Sequence, residues 1–436
     1  MREGKFITLL AVLLFSLVGW PFLEIRNSFS AGNQSPNMEI PPEQSEAPSS
    51  ADEVRQQYLN FFEEVYQTMQ ENYYLPVTQD DYQRFLKMFD EKIFQQLQDS
   101  GKSNDFIRWR SAAYLVDYLK SPEDSFSAFF PPEPAKEYEQ EVLGKKIDIG
   151  IEGNLTASGY LVTHVEPRSD SYKKGLRGQD IIQKVGLVDV LTVTEEEIRD
   201  LLMPFEGTTV VLQYVDAKNQ VVKTVEILSE EYFKQTVFMV PINVPDVFCF
   251  RIERFNQKTS EDMLNYLNYI GRRGRDTSLI LDLRNNPGGP PLAAREISSF
   301  FLTPGEDFAY FQKRDKPKSL LTVPAIPEQF HYRGPVVILV NEKSGSASEL
   351  FSGVMQERGR SVLMGVNTAG KVFLKSMFHF SDESMVLLVT ARGYYPDGKA
   401  FSFDGVQPDK ILSTDDEDEL LRLAVNYLLY LRTKKD

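Results

Sequence analysis

The spacing of apolar residues changes several times along this 436-residue chain, and each change predicts a different kind of element. From Val54 to Met69, apolar residues recur every three or four positions, as they do on one face of a helix. Helical spacing returns over about 79–98 and 104–120. These patterns predict a helical N-terminal region over residues 53–140.

Between residues 145 and 230 the chain changes to short apolar runs that are typical of strands. The runs are Ile147–Ile151, Tyr160–Val165, Ile181–Val185 and Val210–Val215. Short helical patterns near 170–175 and 194–203 lie between some of them. This region is therefore predicted to form a small, mainly β domain with two helices.

From residue 231 to residue 434, strand and helix patterns alternate. The runs Leu279–Leu283 and Val336–Val340 are almost entirely apolar, whereas helical patterns begin at Thr259 and cover about 348–358. Strands that are apolar along their whole length are usually buried on both faces of a parallel sheet. We therefore expect an α/β core with helices on both sides of a sheet.

The beginning of the chain has a different composition. Phe6–Leu23 is uncharged and mostly apolar, and basic residues precede it. Within the first 30 residues this predicts a membrane anchor that leaves the rest exported, on the extracytoplasmic (periplasmic) side of an inner membrane. A signal peptide cleaved near Ser30-Ala31 remains an alternative. Residues 31–52 are polar and proline-rich, which predicts a disordered linker.

The net charge and the spacing of possible metal ligands argue against some classes of function. The net charge of −15 argues against a nucleic-acid partner, because phosphate contacts need a basic face. The single cysteine, Cys249, has no second cysteine for a disulfide or a zinc cluster. The three histidines match no metal-ligand spacing, so we expect neither a metal nor another cofactor.

A serine-rich turn between a predicted strand and a predicted helix is the main candidate for chemistry. It contains Ser344, Ser346 and Ser348. A serine in this position lies near backbone N–H groups that stabilise an oxyanion, but it needs a base. Lys371 has apolar neighbours, which would lower the pKa of its amine and keep it neutral. From these residues alone, any of the serines, or a plain helix cap with a solvated lysine, remains open.

Two motifs resemble those of the carboxyl-terminal processing (tail-specific) serine proteases. Gly334–Asn341 followed by Ser346-Ala347-Ser348-Glu349 resembles the nucleophile segment of that family, and Thr368–Val372 resembles the segment of its basic lysine. Lys371 follows Ser346 by 25 positions, which is also the family's spacing. The resemblance implies that Ser346 is the nucleophile and Lys371 the base.

Further motifs extend the resemblance on both sides. Leu279–Gly289 resembles the family's signature strand and loop, and Thr390–Arg392 with Gly405–Asp409 resembles its closing motifs. The resemblance implies an α/β protease core of the crotonase/ClpP-like type. It also implies an oxyanion hole made of the Ala347 N–H and a glycine N–H, with Gly288 and Gly289 both as candidates.

The small β domain resembles a PDZ domain through Gly150-Ile151 and through Gly175–Ile182. The resemblance implies a multidomain α+β protein whose Gly150 and Ile151 bind the tail of a substrate. The expected partners are protein substrates with apolar C-terminal tails, and homo-oligomerisation is left open.

Three positions depart from the family pattern. The family has a glutamine four residues after the lysine, where it orients the amine, but this chain has Lys375. The positions beside the lysine are also changed, to Ala369 and Val372. These departures leave an alternative function: a weakened or inactive PDZ scaffold that binds protein C-termini without cutting them.

Overall fold

The computed structural model describes most of the chain after residue 50. The described residues are 51–94, 99, 101–271, 277–370, 373–412 and 416–434. The predicted anchor and linker therefore lie outside the described residues and stay predictions. Within the described ranges, no helix is long and apolar enough to cross a membrane.

The fold is mixed α/β with several sheets. The described helices are α1 (Ala51–Asn72), α2 (Gln79–Met88), α3 (Asn104–Leu119), α4 (Pro132–Leu143), α5 (Asp170–Lys173), α6 (Glu195–Leu201), α7 (Thr259–Gly271), α8 (Pro291–Ser298), α9 (Ala347–Glu357) and α10 (Glu417–Thr433). The strands are β1 (Ala128–Phe130), β2 (Lys145–Asp148), β3 (Ile151–Thr156), β4 (Gly159–Val165), β5 (Ile181–Val185), β6 (Val188–Asp189), β7 (Thr209–Val215), β8 (Val222–Leu228), β9 (Glu230–Phe233), β10 (Val237–Val240), β11 (Val247–Ile252), β12 (Ser278–Asp282), β13 (Asp307–Lys313), β14 (Ser319–Thr322), β15 (Val336–Val340), β16 (Val362–Gly365), β17 (Phe373–His379), β18 (Met385–Tyr394) and β19 (Lys410–Ile411).

The helices α1 to α3 form one apolar cluster with part of a sheet. Phe62, Val65 and Met69 of α1 are buried there, as their helical spacing predicts. The cluster includes Phe373 of β17 and Val386 of β18, so these helices pack on the strand that follows residue 372. The predicted helix over 79–98 differs in detail, because α2 ends at Met88 and a π-helical turn follows it.

The predicted α/β core is built on a six-stranded sheet in the order β10-β11-β12-β15-β16-β19. Every pair from β11 to β19 is parallel, and all residues of β12 and β15 are buried. One face packs against α7, α8 and α9 and the other against α10. The predicted coverage of both faces is therefore confirmed. The carboxyl ends of β12 and β15 lie side by side.

A second, antiparallel sheet carries β17 into the neighbourhood of these strand ends. Its order is β1-β18-β13-β14, and β17 pairs with β18. The register between β17 and β18 shifts between Leu374 and Lys375. Phe373, the first residue of β17, is buried. The segment that precedes β17 is the one in which the sequence predicts the catalytic base.

The region 149–228 contains a separate antiparallel sheet in the order β3-β4-β5-β7-β8, with β6 beside β5. We call this region, with α5 and α6, the small β module. The predicted run Ile147–Ile151 is not one strand. It breaks at Gly150, whose φ of 73° is left-handed, so β2 pairs with β9 in a ribbon and β3 becomes an edge of the module.

Candidate active site

Ser346 occupies a strained turn between the end of β15 and the start of α9. Its φ of 52° and ψ of −113° are far from the usual regions for a residue with a side chain. Such a conformation costs about 1–3 kcal/mol and persists only where the surrounding structure enforces it. Sharp turns of this kind, between a strand and a helix, expose a nucleophilic side chain above a sheet.

The other two serines of the turn have structural roles, because their hydroxyls bond to the loop after β12. The Ser344 hydroxyl donates to the Leu283 carbonyl at 2.8 Å, and the Ser348 hydroxyl donates to the Asn286 carbonyl at 3.0 Å. Both residues are fully buried, whereas Ser346 is partly exposed. Of the three candidate nucleophiles, Ser346 is the one in a position that a substrate can approach.

The strain at Ser346 predicts a measurable difference between two substitutions. Ser346→Gly and Ser346→Ala both remove the hydroxyl, but only glycine relaxes a positive φ. Glycine relieves the strain but loses more backbone entropy on folding than alanine does. With both effects included, we expect the Ser346→Gly variant to be more stable than the Ser346→Ala variant by about 1 kcal/mol. Urea unfolding of the two variants measures the difference. Equal stabilities, or a less stable glycine variant, would contradict the strained turn.

Glu349 connects the Ser346 turn to the segment that precedes Lys371. Its Oε2 accepts the Ser346 N–H at 2.7 Å, and its Oε1 accepts the Thr368 hydroxyl and the Gly370 N–H, each at 2.6 Å. The residue is 2% exposed. Hydrogen bonds to a buried carboxylate are short and strong. One side chain therefore fixes the backbone of Ser346 and of Gly370 together.

Lys371 itself lies outside the described residues, together with Val372. The residues before it are held against the Ser346 turn, because the Ala369 N–H donates to the Ser344 carbonyl at 2.9 Å. Gly370 has a φ of 72°, and a side chain there would collide with the Phe403 carbonyl. The residues that lead to Lys371 are thus held in place beside the Ser346 turn.

Gly288 is the glycine of the β12 loop that lies against Ser346. A Cβ on Gly288 would stand 2.7 Å from the Ser346 Cβ and 2.8 Å from the Ala347 nitrogen. A Cβ on Gly289 would collide with the Phe255 carbonyl instead. The Gly288 N–H already donates to the Asn286 Oδ1 at 2.9 Å. The structure therefore brings Gly288 and Ala347 together at the Ser346 turn, whereas Gly289, the other predicted oxyanion residue, lies against Phe255.

Asparagine side chains tie the two loops to each other. The Asn285 N–H donates to the Asn341 Oδ1 at 2.9 Å, and the Asn341 Nδ2 returns a bond to the Asn285 Oδ1 at 3.0 Å. The Asn286 carbonyl accepts the Gly345 N–H at 2.9 Å. These bonds fix the loop after β12 against the serine turn after β15.

A scan against protein-family models matches residues 246–412 to the description "Peptidase family S41". This range contains β11 to β19, the Ser346 turn and the loop of Gly288. Residues 246–412 are a peptidase S41 domain.

Curated relatives agree with this assignment. The chain is 26% identical over 317 residues to a "Probable CtpA-like serine protease" of Staphylococcus haemolyticus, a match that covers 70% of this chain and 62% of the relative. It is 25% identical over 317 residues to a "Carboxyl-terminal-processing protease" of Picosynechococcus sp., covering 70% of this chain and 74% of the relative. This chain therefore spans 62% of the length of the first relative.

Among solved structures, the tricorn protease has a similar fold. Its TM-score is 0.50 at 14% identity, and the match covers 86% of this chain and 37% of the tricorn chain. At this identity the similarity concerns the fold alone.

A buried ion pair lies at the carboxyl end of β12, and sequence reasoning missed it. Arg284 donates to both carboxylate oxygens of Asp282, each at 2.8 Å, and Arg251 adds a bond at 3.2 Å. Burial by itself lowers the pKa of Arg284, but the bonds to Asp282 outweigh burial and raise it. The signal in the sequence is the charged Asp282 at the end of an apolar strand.

Lys375, the departure from the family pattern, faces aromatic residues. Its Nζ lies 3.5 Å from the Tyr138 hydroxyl of α4 and 5.6 Å from the centre of the Phe126 ring. Phe126 also contacts Phe373 edge-on at 6.3 Å. Lys375 therefore has contacts with the helical region of the chain as well as with its own strand.

The predicted peptide-binding residues lie in the small β module and not in the S41 domain. The Gly150 N–H donates to the Asp148 Oδ1 at 2.6 Å, and Ile151 begins the edge strand β3 opposite Val165. A side chain at Gly150 would collide with Ser169, the N-cap of α5. Glycine is thus required where the chain enters the edge strand.

Proposed function

We propose that this protein is a serine endopeptidase that cuts protein substrates near their C-termini with a dyad of Ser346 and Lys371. The observation that carries the proposal is the bridge from Ser346 through Glu349 to Gly370, the residue before Lys371. The strained and partly exposed Ser346 turn supports the proposal, because backbone strain destabilises the fold and is concentrated at functional sites.

The proposed chemistry needs only side chains and backbone. The Ser346 Oγ attacks the scissile carbonyl carbon while the neutral Lys371 Nζ takes the hydroxyl proton. The lysine ammonium then donates that proton to the leaving amine, and the peptide C–N bond breaks. Lys371 next activates a water molecule, which attacks the ester and releases the second product and the Ser346 hydroxyl.

The oxyanion of each tetrahedral intermediate would accept the Ala347 N–H and a glycine N–H. Ala347 is the first residue of α9, where N–H groups have no acceptor within the helix. The Gly288 N–H is already bonded to Asn286, which favours Gly289 as the second donor. The N-terminal end of α9 adds a favourable field for negative charge.

The small β module is proposed to act as a PDZ domain over residues 145–230 that receives substrate tails with apolar residues. The helical region is proposed to span 53–140 and the protease core 231–434. The N-terminal segment is proposed to hold the protein on the extracytoplasmic side of a membrane, either as an uncut anchor or as a cleaved signal. The edge position of β3 supports strand addition, since its outer side has no neighbouring strand of the module.

The direct test is digestion of an unstructured protein with an apolar tail. The purified wild type is expected to produce fragments that mass spectrometry maps to sites near the C-terminus, whereas Ser346→Ala produces none. Equal digestion by the two proteins would contradict the assignment of the nucleophile. No digestion by a folded wild type would favour the tail-binding scaffold, and restoring glutamine at position 375 would then show whether Lys375 is the cause.

A further inference from the structure

The entrance of edge strand β3 is already bonded to a carboxylate of the chain itself. Asp148 is 3% exposed, and its Oδ1 accepts both the Gly150 N–H at 2.6 Å and the Tyr232 hydroxyl at 2.5 Å. Its Oδ2 pairs with the Lys146 ammonium at 2.6 Å. This carboxylate is therefore buried and has three donors.

Gly150 is one of the two residues to which tail binding is assigned. A PDZ domain of the usual kind holds the terminal carboxylate of a peptide with backbone N–H groups at this entrance. In this chain the Gly150 N–H is engaged by Asp148. The side chain of Asp148 thus engages an N–H group that a peptide's terminal carboxylate would otherwise need.

A second buried carboxylate adds to the negative charge at the same place. Glu166 is 5% exposed, its N–H donates to the Gly150 carbonyl at 2.8 Å, and its side chain accepts the Gln235 N–H. The nearby Arg168 guanidinium is bonded to Asp262 of the core at 2.6 Å. The Lys146 ammonium offsets one of the two negative charges. Like charges in a poorly solvated site repel, so a third carboxylate is disfavoured at this entrance.

The far end of the edge strand is held differently. The Leu155 N–H donates to the Glu195 Oε2 of α6 at 3.2 Å, and Glu195 also pairs with Arg199. Glu195 is only partly buried, so moving it away costs little, since exposed ion pairs contribute little to stability. Moving Asp148 costs more, because it breaks several charge-assisted bonds of a buried carboxylate.

We propose that the small β module recognises substrate segments without using a terminal carboxylate, because Asp148 supplies that group from within the chain. A substrate segment would add to β3 by displacing Glu195 and leaving Asp148 in place. The expected ligand class is an extended apolar segment, whether or not it ends the chain. This inference rests on the proposed role of the module in receiving substrates.

The test compares two fluorescent peptides with the same apolar sequence, one ending in a free carboxylate and the other in an amide. Binding is measured by anisotropy on the full chain carrying Ser346→Ala, which prevents cleavage. We expect the two Kd values to agree within about threefold. A free acid that binds ten times more tightly than the amide would overturn the proposal, and so would the absence of binding by both peptides.

Two variants sharpen the comparison. Asp148→Ala frees the Gly150 N–H and removes one negative charge, so the free acid is expected to gain at least tenfold over the amide. Asp216→Ala is the matched control, because Asp216 also caps backbone N–H groups of the module but lies in the β7–β8 turn. The control is expected to leave the ratio unchanged, and an equal gain in both variants would contradict a specific role for Asp148.

Should Asp148→Ala fail to fold, Asp148→Asn removes the charge and retains an oxygen acceptor for the Gly150 N–H. The ratio of the two Kd values is then expected to change by less than threefold. A tenfold preference for the free acid in this variant would contradict the idea that the side chain at position 148 blocks the Gly150 N–H. Cleavage of an unstructured protein by the wild type is a separate readout. A protease that depends on a free carboxylate would refute this inference and leave the proposed function intact.

Discussion

Ser346→Ala and Lys371→Ala are each expected to lower kcat/KM by about 10³-fold or more, and the double variant is expected to be no worse than either. In the proposed mechanism both residues act in the same step, since the hydroxyl is a poor nucleophile until a base removes its proton. Once one member is removed, the other has nothing to do. Losses within one catalytic unit are therefore far from additive.

The measurement is the initial rate of cleavage of a quenched fluorescent peptide by the wild type, the two single variants and the double variant. Circular dichroism and thermal unfolding serve as controls for folding. Additive losses, with the double variant about 10³-fold below each single one, would show that the two residues act independently. A Lys371→Ala variant with wild-type activity would remove Lys371 from the mechanism.

Glu349→Gln is expected to lower kcat by about 10²-fold, although Glu349 is not assigned to any step of the chemistry. The carboxylate accepts N–H groups from Ser346 and Gly370 on different oxygens, and an amide presents an NH₂ group to one of them. That donor–donor contact is expected to move either Ser346 or Gly370, the residue before Lys371. A misplacement of about 1 Å costs on the order of 10² in rate.

The same substitution is expected to destabilise the fold by about 1–3 kcal/mol, because it leaves a buried donor without an acceptor. Glu357→Gln is the matched control on the same helix, where Glu357 accepts the Asp397 N–H at 3.1 Å. Burial, followed by repulsion from Asp397, raises the pKa of Glu357, so amide replacement there removes little charge stabilisation. Full activity in Glu349→Gln, or equal losses in both variants, would contradict a positioning role for Glu349.

Much of the core could be predicted from the spacing of apolar residues. β15 is apolar throughout, and β12 is apolar between Ser278 and Asp282, because helices cover both faces of their sheet. The sequence shows this burial directly. The serine turn could also be located, because small residues follow a buried strand and precede a helix. The family resemblance, and not the residue pattern alone, selected Ser346 among the three serines. The hydrogen bonds that give Ser344 and Ser348 framework roles could not be predicted from the sequence.

Other features depend on contacts between residues that are distant in the sequence, so the sequence gives only weak signals of them. In the sequence Glu349 is the third residue of a helix, a common position for an acid that caps the N-terminus. Its bonds to Thr368 and Gly370 arise only when β16 and α9 meet. The break at Gly150 was missed because Ile147–Ile151 is continuous in hydropathy, whereas backbone conformation and the bond to Asp148 divide it.

The most direct test of the account is covalent labelling of the full chain with a fluorophosphonate probe, followed by tryptic digestion and peptide sequencing by mass spectrometry. Trypsin releases the turn within the peptide Ser344–Arg358, which follows Lys343. We expect the phosphonyl group on Ser346, and we expect Lys371→Ala to lose the label although its serine is intact. A label on Ser344 or Ser348, or equal labelling of Ser346→Ala, would contradict Ser346 as the nucleophile.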